Sequence, residues 1–454
     1  MKNKRVLLVS YHFYPDSAIG ARRISELAAH LRADGHEVTV VSAGGEPIQT
    51  DPALNARVQG MRIHRVAVPP KLTPRLLGLL RRRRNAADSA AAGVAASESN
   101  AQTIAASAEG LLARIKRYYH ALEWLVDDHK LWSLRAALRI ARLALRERFD
   151  WVISSGPPMS PHLAVLAARP LLRCRWIMDM RDPWTDDQEW LRHVRCAATD
   201  RINAFLERRC IAAADVVTTT TPSLARLLKT RYPERDEAIQ CIYNGYDGAP
   251  ERSPPPLGEL RLLYAGSIYY NRDPFPLLRA VAELVARPEV ERRKVSFLLV
   301  GNCQQWRGSS VSEWIRAHQL EDCIEVRAPV AASEVARLMR EANVLVNFAQ
   351  GQPRQIPAKM FEYIASRRQM LLIAEADSDS AALVRDTGSG WICDPRAPES
   401  LPAALQALYR QYVVEAHGYD ADPGRVALFA RASQNRRFLE ILGSAPLAVS
   451  ETPV

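Results

Sequence analysis

The feature that most constrains this chain is a series of short apolar runs, each separated from the next by enough residues for a helix. Val295–Val300 (VSFLLV) and Val344–Phe348 (VLVNF) read as apolar throughout rather than alternating. Strands read that way when both faces of their sheet are covered, as in parallel sheets. A first series comprises Arg5–Ser10, Glu37–Ser42, Met61–Val66, Asp150–Ser154, Arg175–Asp179 and Val216–Thr220. A second comprises Ile239–Tyr243, Leu260–Ala265, Val295–Val300, Cys323–Arg327, Asn343–Phe348, Met370–Ile373 and Gly390–Cys393. Strands alternating with helical patterns predict an α/β fold with a doubly wound sheet, made twice. The turn dipeptide Asn244-Gly245 and the Pro-rich stretch Asp247–Leu257 mark the join. The chain therefore divides into an N-terminal domain over 1–245, a linker over 246–258, a C-terminal domain over 259–424 and a closing helix over 425–444.

A length of 454 residues suits two or three domains. No apolar run is long enough to span a membrane, and Val6–Val9 is too short for a signal peptide. Seven scattered cysteines without a CxxC pair predict reduced thiols in a cytosolic protein, and ten histidines without an HExxH pattern predict no zinc. The net charge of +11 admits nucleic acid, an anionic membrane or polyanionic substrates as partners. No recognition helix, RNP-type motif or aromatic platform accompanies it, so a membrane surface is favoured over nucleic acid, with a merely basic soluble protein as the plain alternative. The segment Lys71–Gln102 breaks the α/β pattern: TPRLLGLLRRRR leads into an Ala/Ser-rich tract, a mobile insertion over about 71–110. Its leucines and Arg81–Arg84 suit an anionic bilayer surface, or else form a solvated insertion with a helix end. Leu111–Arg148 then reads as long helical material containing Trp124, Asp127, Asp128 and Trp132.

Chemistry concentrates in Gly351–Ala365 (GQPRQIPAKMFEYIA), a Gly/Pro-rich loop between two buried strands that opens into a helix. Pro357 suits the first turn, where a missing N–H costs nothing. The free N–H groups and Lys359 can hold a phosphate, and Glu362 can accept hydrogen bonds from a ribose. The alternative is a surface pair between Lys359 and Glu362, three apart on a helix.

These strings resemble those of the retaining GT-B glycosyltransferases of family 4. Val6–Ser42 is similar to the family's opening, with a Tyr-Pro loop, Gly20, a helix and then Gly35–Val41 (GHEVTVV). Leu263–Ser267 and Gln350–Ile373 resemble its donor-site elements, and Gly390-Trp391 with Asp394-Pro395 its closing strand and turn. Ser155–His162 (SGPPMSPH) and Asp179–Asp186 (DMRDPWTD) resemble a branch that assembles O-antigen, capsule and exopolysaccharide. The resemblance implies two Rossmann-like domains facing across a cleft. The C-terminal one binds a nucleotide-diphosphate sugar, and the N-terminal one holds a lipid-linked glycan acceptor. The implied reaction is retaining and metal-independent, without a cofactor, at the cytoplasmic face of the plasma membrane.

The resemblance also assigns roles. Lys359, Arg272 and the Gly266-Ser267 turn would stabilise the leaving diphosphate, with Arg in place of the family's usual Lys at 272. Glu362 matches the second Glu of the EX7E motif. The first falls at Arg354 and is absent, so Arg354 and Gln355 are candidates to contact the sugar. Asp182 is the candidate carboxylate near the reacting centre, or a turn Asp before Pro183, with Arg181 beside it. Gly20 would let the first loop approach the donor phosphates, and Arg22 and Arg23 can add charge there. His12, Asp16 and His162 are acceptor-side candidates, His162 being equally a structural histidine. Gly301, Asn302 and Arg327 would frame the base. Asp127-Asp128 and Asp186-Asp187 read as surface charges or caps, and no metal is expected. A GT-B nucleotide-sugar epimerase and a catalytically silent scaffold are the alternatives.

Overall fold

The computed structural model describes residues 3–16, 18–45, 52–69, 125–185, 196–250 and 253–444. The expected insertion over 71–110, its Leu and Arg cluster, Trp124, Asp186-Asp187 and the end of the chain lie outside the described residues. The chain forms two compact units that divide at Val217/Thr218.

In chain order the first strands and helices are β1 (Arg5–Ser10), α1 (Ile19–Ala33), β2 (Glu37–Gly44), α2 (Pro52–Val58), β3 (Arg62–Ala67), α3 (Lys130–Arg146), β4 (Trp151–Gly156), α4 (Ser160–Ala168), β5 (Arg175–Met180), α5 (Ala197–Ala213), β6 (Val216–Thr219), α6 (Pro222–Arg231) and β7 (Ile239–Cys241). They build a seven-stranded sheet in the order β3-β2-β1-β4-β5-β6-β7. The order reverses between β1 and β4, which pair in parallel from Val6↔Trp151 to Ser10↔Ser155. Val6, Leu7, Leu8 and Val9 are fully buried, as consecutive residues are only when helices cover both faces.

The second unit continues with β8 (Leu260–Ala265), α7 (Phe275–Val285), β9 (Val295–Val300), β10 (Gln305–Trp306), β11 (Ser309–Ser310), α8 (Val311–Ala317), β12 (Ile324–Arg327), α9 (Ala332–Glu341), β13 (Val344–Phe348), α10 (Lys359–Ala365), β14 (Gln369–Ile373), α11 (Asp379–Thr387), β15 (Gly390–Cys393), α12 (Ser400–Tyr409), α13 (Pro423–Ala427) and α14 (Arg431–Gly443). Its sheet is parallel throughout, ordered β12-β9-β8-β13-β14-β15, and reverses between β8 and β13. Alternate residues feed two cores: Leu260, Leu262 and Tyr264 of β8 pack with α7 and α12, while Leu263 packs with α10 and α11.

Three local features differ from the expectation. The hairpin β10-β11 was unpredicted; its strands are two residues each, too short to show a period. The C-terminal helix expected over 425–444 is interrupted at Leu428–Ala430. There the backbone pairs with the interdomain segment instead: Tyr246 N–H donates to Phe429 O at 3.1 Å and Arg431 N–H to Tyr246 O at 2.7 Å. Arg431 adds bonds to Asp247 Oδ1 at 2.6 Å and to Gly245 O at 2.9 Å. Helix α10 opens at Lys359, with Ala358 as its cap, so Pro357 sits just outside the first turn.

Candidate functional site

In open α/β sheets ligands bind beyond the carboxyl ends of strands, where the strand order reverses. Each unit has such a point, and the predicted residues gather there.

In the second unit, the loops after β8 and β13 meet. Gly266 follows β8 at φ +153°, and a Cβ on it would lie 3.0 Å from Lys359 Nζ. Gly301 follows β9 at φ +129°, and a Cβ there would lie 2.1 Å from Gly266 O, so only glycine fits. Ser267 accepts three bonds: its carbonyl from Tyr264 Oη at 2.7 Å and Arg272 Nη1 at 3.4 Å, and its Oγ from Asn302 Nδ2 at 3.4 Å. Gly266, Ser267, Arg272, Gly301, Asn302 and Lys359 are thus brought together. Arg327 contributes only its carbonyl, which accepts from Gly301 N–H at 3.0 Å. Its guanidinium is forked onto Glu325 at 2.5 and 2.8 Å.

Lys359 is half-buried over the Tyr264 ring, 3.8 Å from the centroid, and donates to Ala265 O at 3.4 Å. Loss of water, then the repulsion of Arg272, pushes its pKa well below the ordinary 10.5. Arg272 is 8% exposed, stacks on Tyr269 with its guanidinium carbon 4.2 Å from the ring centroid, and leaves Nε without a partner. Among the described residues no carboxylate pairs with either cation. Two neighbouring cations, one buried and one half-buried, without a counter-ion cost stability that a bound anion would offset.

The loop of β13 is fixed through its backbone. Arg354 O accepts from Thr221 Oγ1 at 2.9 Å, and Gln355 O from Ser380 Oγ at 3.1 Å. Their side chains stay half-buried, and Glu362 is exposed on α10. Sequence reasoning placed Gly351 in the loop without a role of its own and passed over Asn271 and Glu375. Gly351 has φ +68° and a Cβ there would meet Asn271 Nδ2 at 2.5 Å; its N–H donates to Glu375 Oε1 at 2.9 Å. Glu375 Oε2 is buried without a partner.

In the first unit, Arg181 serves backbone. Its Nη1 donates to Gly20 O at 2.8 Å, its Nε to Gly156 O at 3.2 Å and its Nη2 to Pro157 O. It holds the first turn of α1 against the end of β4 and the residue that follows it, and a Cβ on Gly20 would lie 3.2 Å from Nη1. Burial lowers the pKa of Arg181, while Asp179 and then Asp182 act to raise it. Asp182 itself is half-buried. Arg23 is buried and forks onto Asp179 at 2.9 and 3.1 Å, while Arg22 is exposed.

His12 and Asp16 do meet: Nδ1 lies 2.7 Å from Oδ2, and the other Asp16 oxygen accepts from Ala18 N–H at 2.9 Å. His162 is placed apart from them, fully buried, with Nδ1 2.7 Å from Ser154 Oγ and Nε2 unpartnered. Burial pulls its pKa down to about 3. Three further residues join the first loop unpredicted. Tyr11 stacks on His129 at 3.8 Å, and His129 pairs with Asp128 at 3.0 Å. Burial, then Asp128, Asp127 and Asp16, pushes Tyr11 up to about 12. Asp127 is a buried cap, accepting from the N–H of Ser160 at the start of α4 and from the N–H of His129, both at 2.7 Å. Among the described residues no group of three or more His, Cys, Asp or Glu is placed to hold a metal ion.

Two family models match the chain, Glycosyltransferase Family 4 over residues 95–249 and Glycosyl transferases group 1 over residues 259–411. Together they span about two thirds of it. No curated protein matches. Solved structures match along nearly their whole length. A glycosyltransferase from Rickettsia africae ESF-5 has a TM-score of 0.58 at 13% identity, covering 97% of this chain and 98% of that one. A sucrose-phosphate synthase from Thermosynechococcus elongatus has 0.60 at 15%, covering 97% and 98%. The lipopolysaccharide outer core galactosyltransferase WaaB has 0.59 at 12%, covering 96% and 98%. At such identities these structures establish the fold, two Rossmann-like α/β domains of the GT-B type. The matched domains make the protein a glycosyltransferase. It belongs to the GT-B glycosyltransferases, with a family 4 domain followed by a group 1 domain.

Proposed function

We propose that the protein transfers a sugar from a nucleotide-diphosphate sugar to a lipid-linked glycan in cell-surface polysaccharide synthesis, with retention and without a metal. One observation carries the donor half: half-buried Lys359 and buried Arg272, neither paired with a carboxylate among the described residues, beside the Gly266-Ser267 turn where the strand order reverses. As the sugar leaves, charge grows on the diphosphate, and fixed cations in a dry site stabilise it. Glu362 would take the ribose hydroxyls. The backbone-fixed Arg354 and Gln355 would meet the sugar in place of the family's missing Glu. The acceptor would lie on the first unit near His12, Asp16 and Asp182. Its hydroxyl would attack the face from which the diphosphate departs, with the leaving phosphate taking the proton. The lipid-linked acceptor follows from the likeness of Ser155–His162 and Asp179–Asp186 to the polysaccharide branch. With the net charge of +11 it also favours work at an anionic cytoplasmic membrane face.

A thermal-shift screen against UDP, GDP, ADP, CMP and the matching nucleotide sugars tests this reading, because a ligand of the folded state alone must raise its melting temperature. One nucleotide family should shift the protein, and Lys359→Ala and Glu362→Ala should each abolish the shift. No shift with any nucleotide would leave the scaffold alternative.

A further inference from the structure

Helix α3 presents two faces of opposite character. Its inner stripe, Trp132, Ser133, Ala136, Ile140 and Leu143, is buried. On the outer side Leu131, Leu134, Leu138 and Leu145 are 37, 62, 59 and 73% exposed. At 3.6 residues per turn these four share an arc of about 60°. Arg135, Arg139, Arg142 and Arg146 occupy the adjoining arc, also about 60° wide. No Asp or Glu occurs between Lys130 and Arg146. Among the described residues Arg139, Arg142 and Arg146 make no hydrogen bond or ion pair, while Arg135 donates to Ala67 O at 3.3 Å.

A helix that merely covers a sheet places polar residues of both signs on its outer face. This one carries a leucine row beside an unneutralised arginine row. A second copy of the chain would bring like charges together on this face, and a nucleic acid would leave the leucines without a role. A bilayer rich in anionic lipid uses both rows. We propose that the outer face of α3 is the membrane-docking surface of the protein, with its leucines at the headgroup–acyl boundary and its arginines on the lipid phosphates. The partner rests on the proposed attachment to an anionic membrane. The assignment of the face rests on the helix alone, and is separate from the Leu and Arg cluster over 73–84.

Sedimentation of the full chain with vesicles tests it, comparing phosphatidylcholine alone with phosphatidylcholine containing phosphatidylglycerol. The wild type should bind the anionic vesicles and scarcely the neutral ones. Leu134→Ser/Leu138→Ser should lower the partition coefficient roughly tenfold or more. Arg139→Gln/Arg142→Gln should lower it about fivefold per arginine and weaken its salt dependence. Both variants should keep the wild-type melting temperature and nucleotide shift, which separates a failure of docking from a failure of the donor site. Wild-type binding by both variants would overturn the proposal, as would loss of binding only on substituting Arg81–Arg84. A concentration-dependent dimer dissolved by Leu134→Ser/Leu138→Ser would also overturn it, assigning the face to self-association.

Discussion

Lys359 carries a cost in stability that the proposed diphosphate would offset. Its lowered pKa means that, between that value and 10.5, the unfolded chain holds a proton that the folded chain does not. Stability therefore rises with pH across that window, and below it the buried charge is a standing cost. Lys359→Met should raise the melting temperature of the free protein by roughly 2–4 °C, the equivalent of about 1 kcal/mol. It should also abolish the nucleotide shift; a variant that melts lower and still binds would contradict this. A bound diphosphate would favour the charged form, so binding should take up protons only at pH values within that window, and calorimetry across pH in buffers of different ionisation enthalpy measures where the uptake sets in. His162 gives the complementary acid limb. Its pKa falls from 6.5 to about 3, so below pH 6.5 protons favour the unfolded chain and stability is lost progressively toward pH 3. The loss should reach about 2 kcal/mol at pH 5. Urea midpoints at pH 7 and pH 5 should show that drop, and His162→Gln should flatten it.

At the scale of elements, the turn after β9 is built on contact between two backbones. Gly301→Ala should destabilise the protein by roughly 2–4 kcal/mol, because its Cβ would overlap the Gly266 carbonyl at positive φ. Gly258→Ala, at φ +84° with nothing within 4 Å, should cost only about 1 kcal/mol. Equal urea midpoints for the two would contradict the argument. The strands were legible because burial on both faces writes itself into every residue of β8, β9 and β13. The loop after β13 stood out as a candidate because its Gly, Pro, Lys and Glu are contiguous. The cluster of Tyr11 with Asp128 and His129 was hidden, because more than a hundred residues separate its parts and nothing local marks them as partners. The outer face of α3 was hidden for another reason: leucines on both sides of a helix read as one long apolar pattern until the buried stripe is subtracted.

The whole molecule consists of two units, each with its own reversal point and its own polar cluster. Lys359, Arg272 and the turn residues all lie in the second unit, and Arg181, Asp179, His12 and Asp16 in the first. If the donor site is confined as its residues are, a nucleoside diphosphate without acceptor should act on one unit only. Hydrogen exchange should then slow at residues 264–272 and 351–361, where backbone groups and cations surround the proposed anion. Exchange at 11–20, 155–162 and 179–182 should match that of the free protein. The nucleotide used is the one that gives the largest thermal shift, and Lys359→Ala should erase the protection. Protection confined to the first unit would refute the donor assignment while leaving the glycosyltransferase fold untouched. Protection of both sets of loops by the nucleotide alone would mean that the acceptor residues also read the donor. Asp182 and His12 would then have to be judged by their effect on nucleotide affinity rather than on transfer.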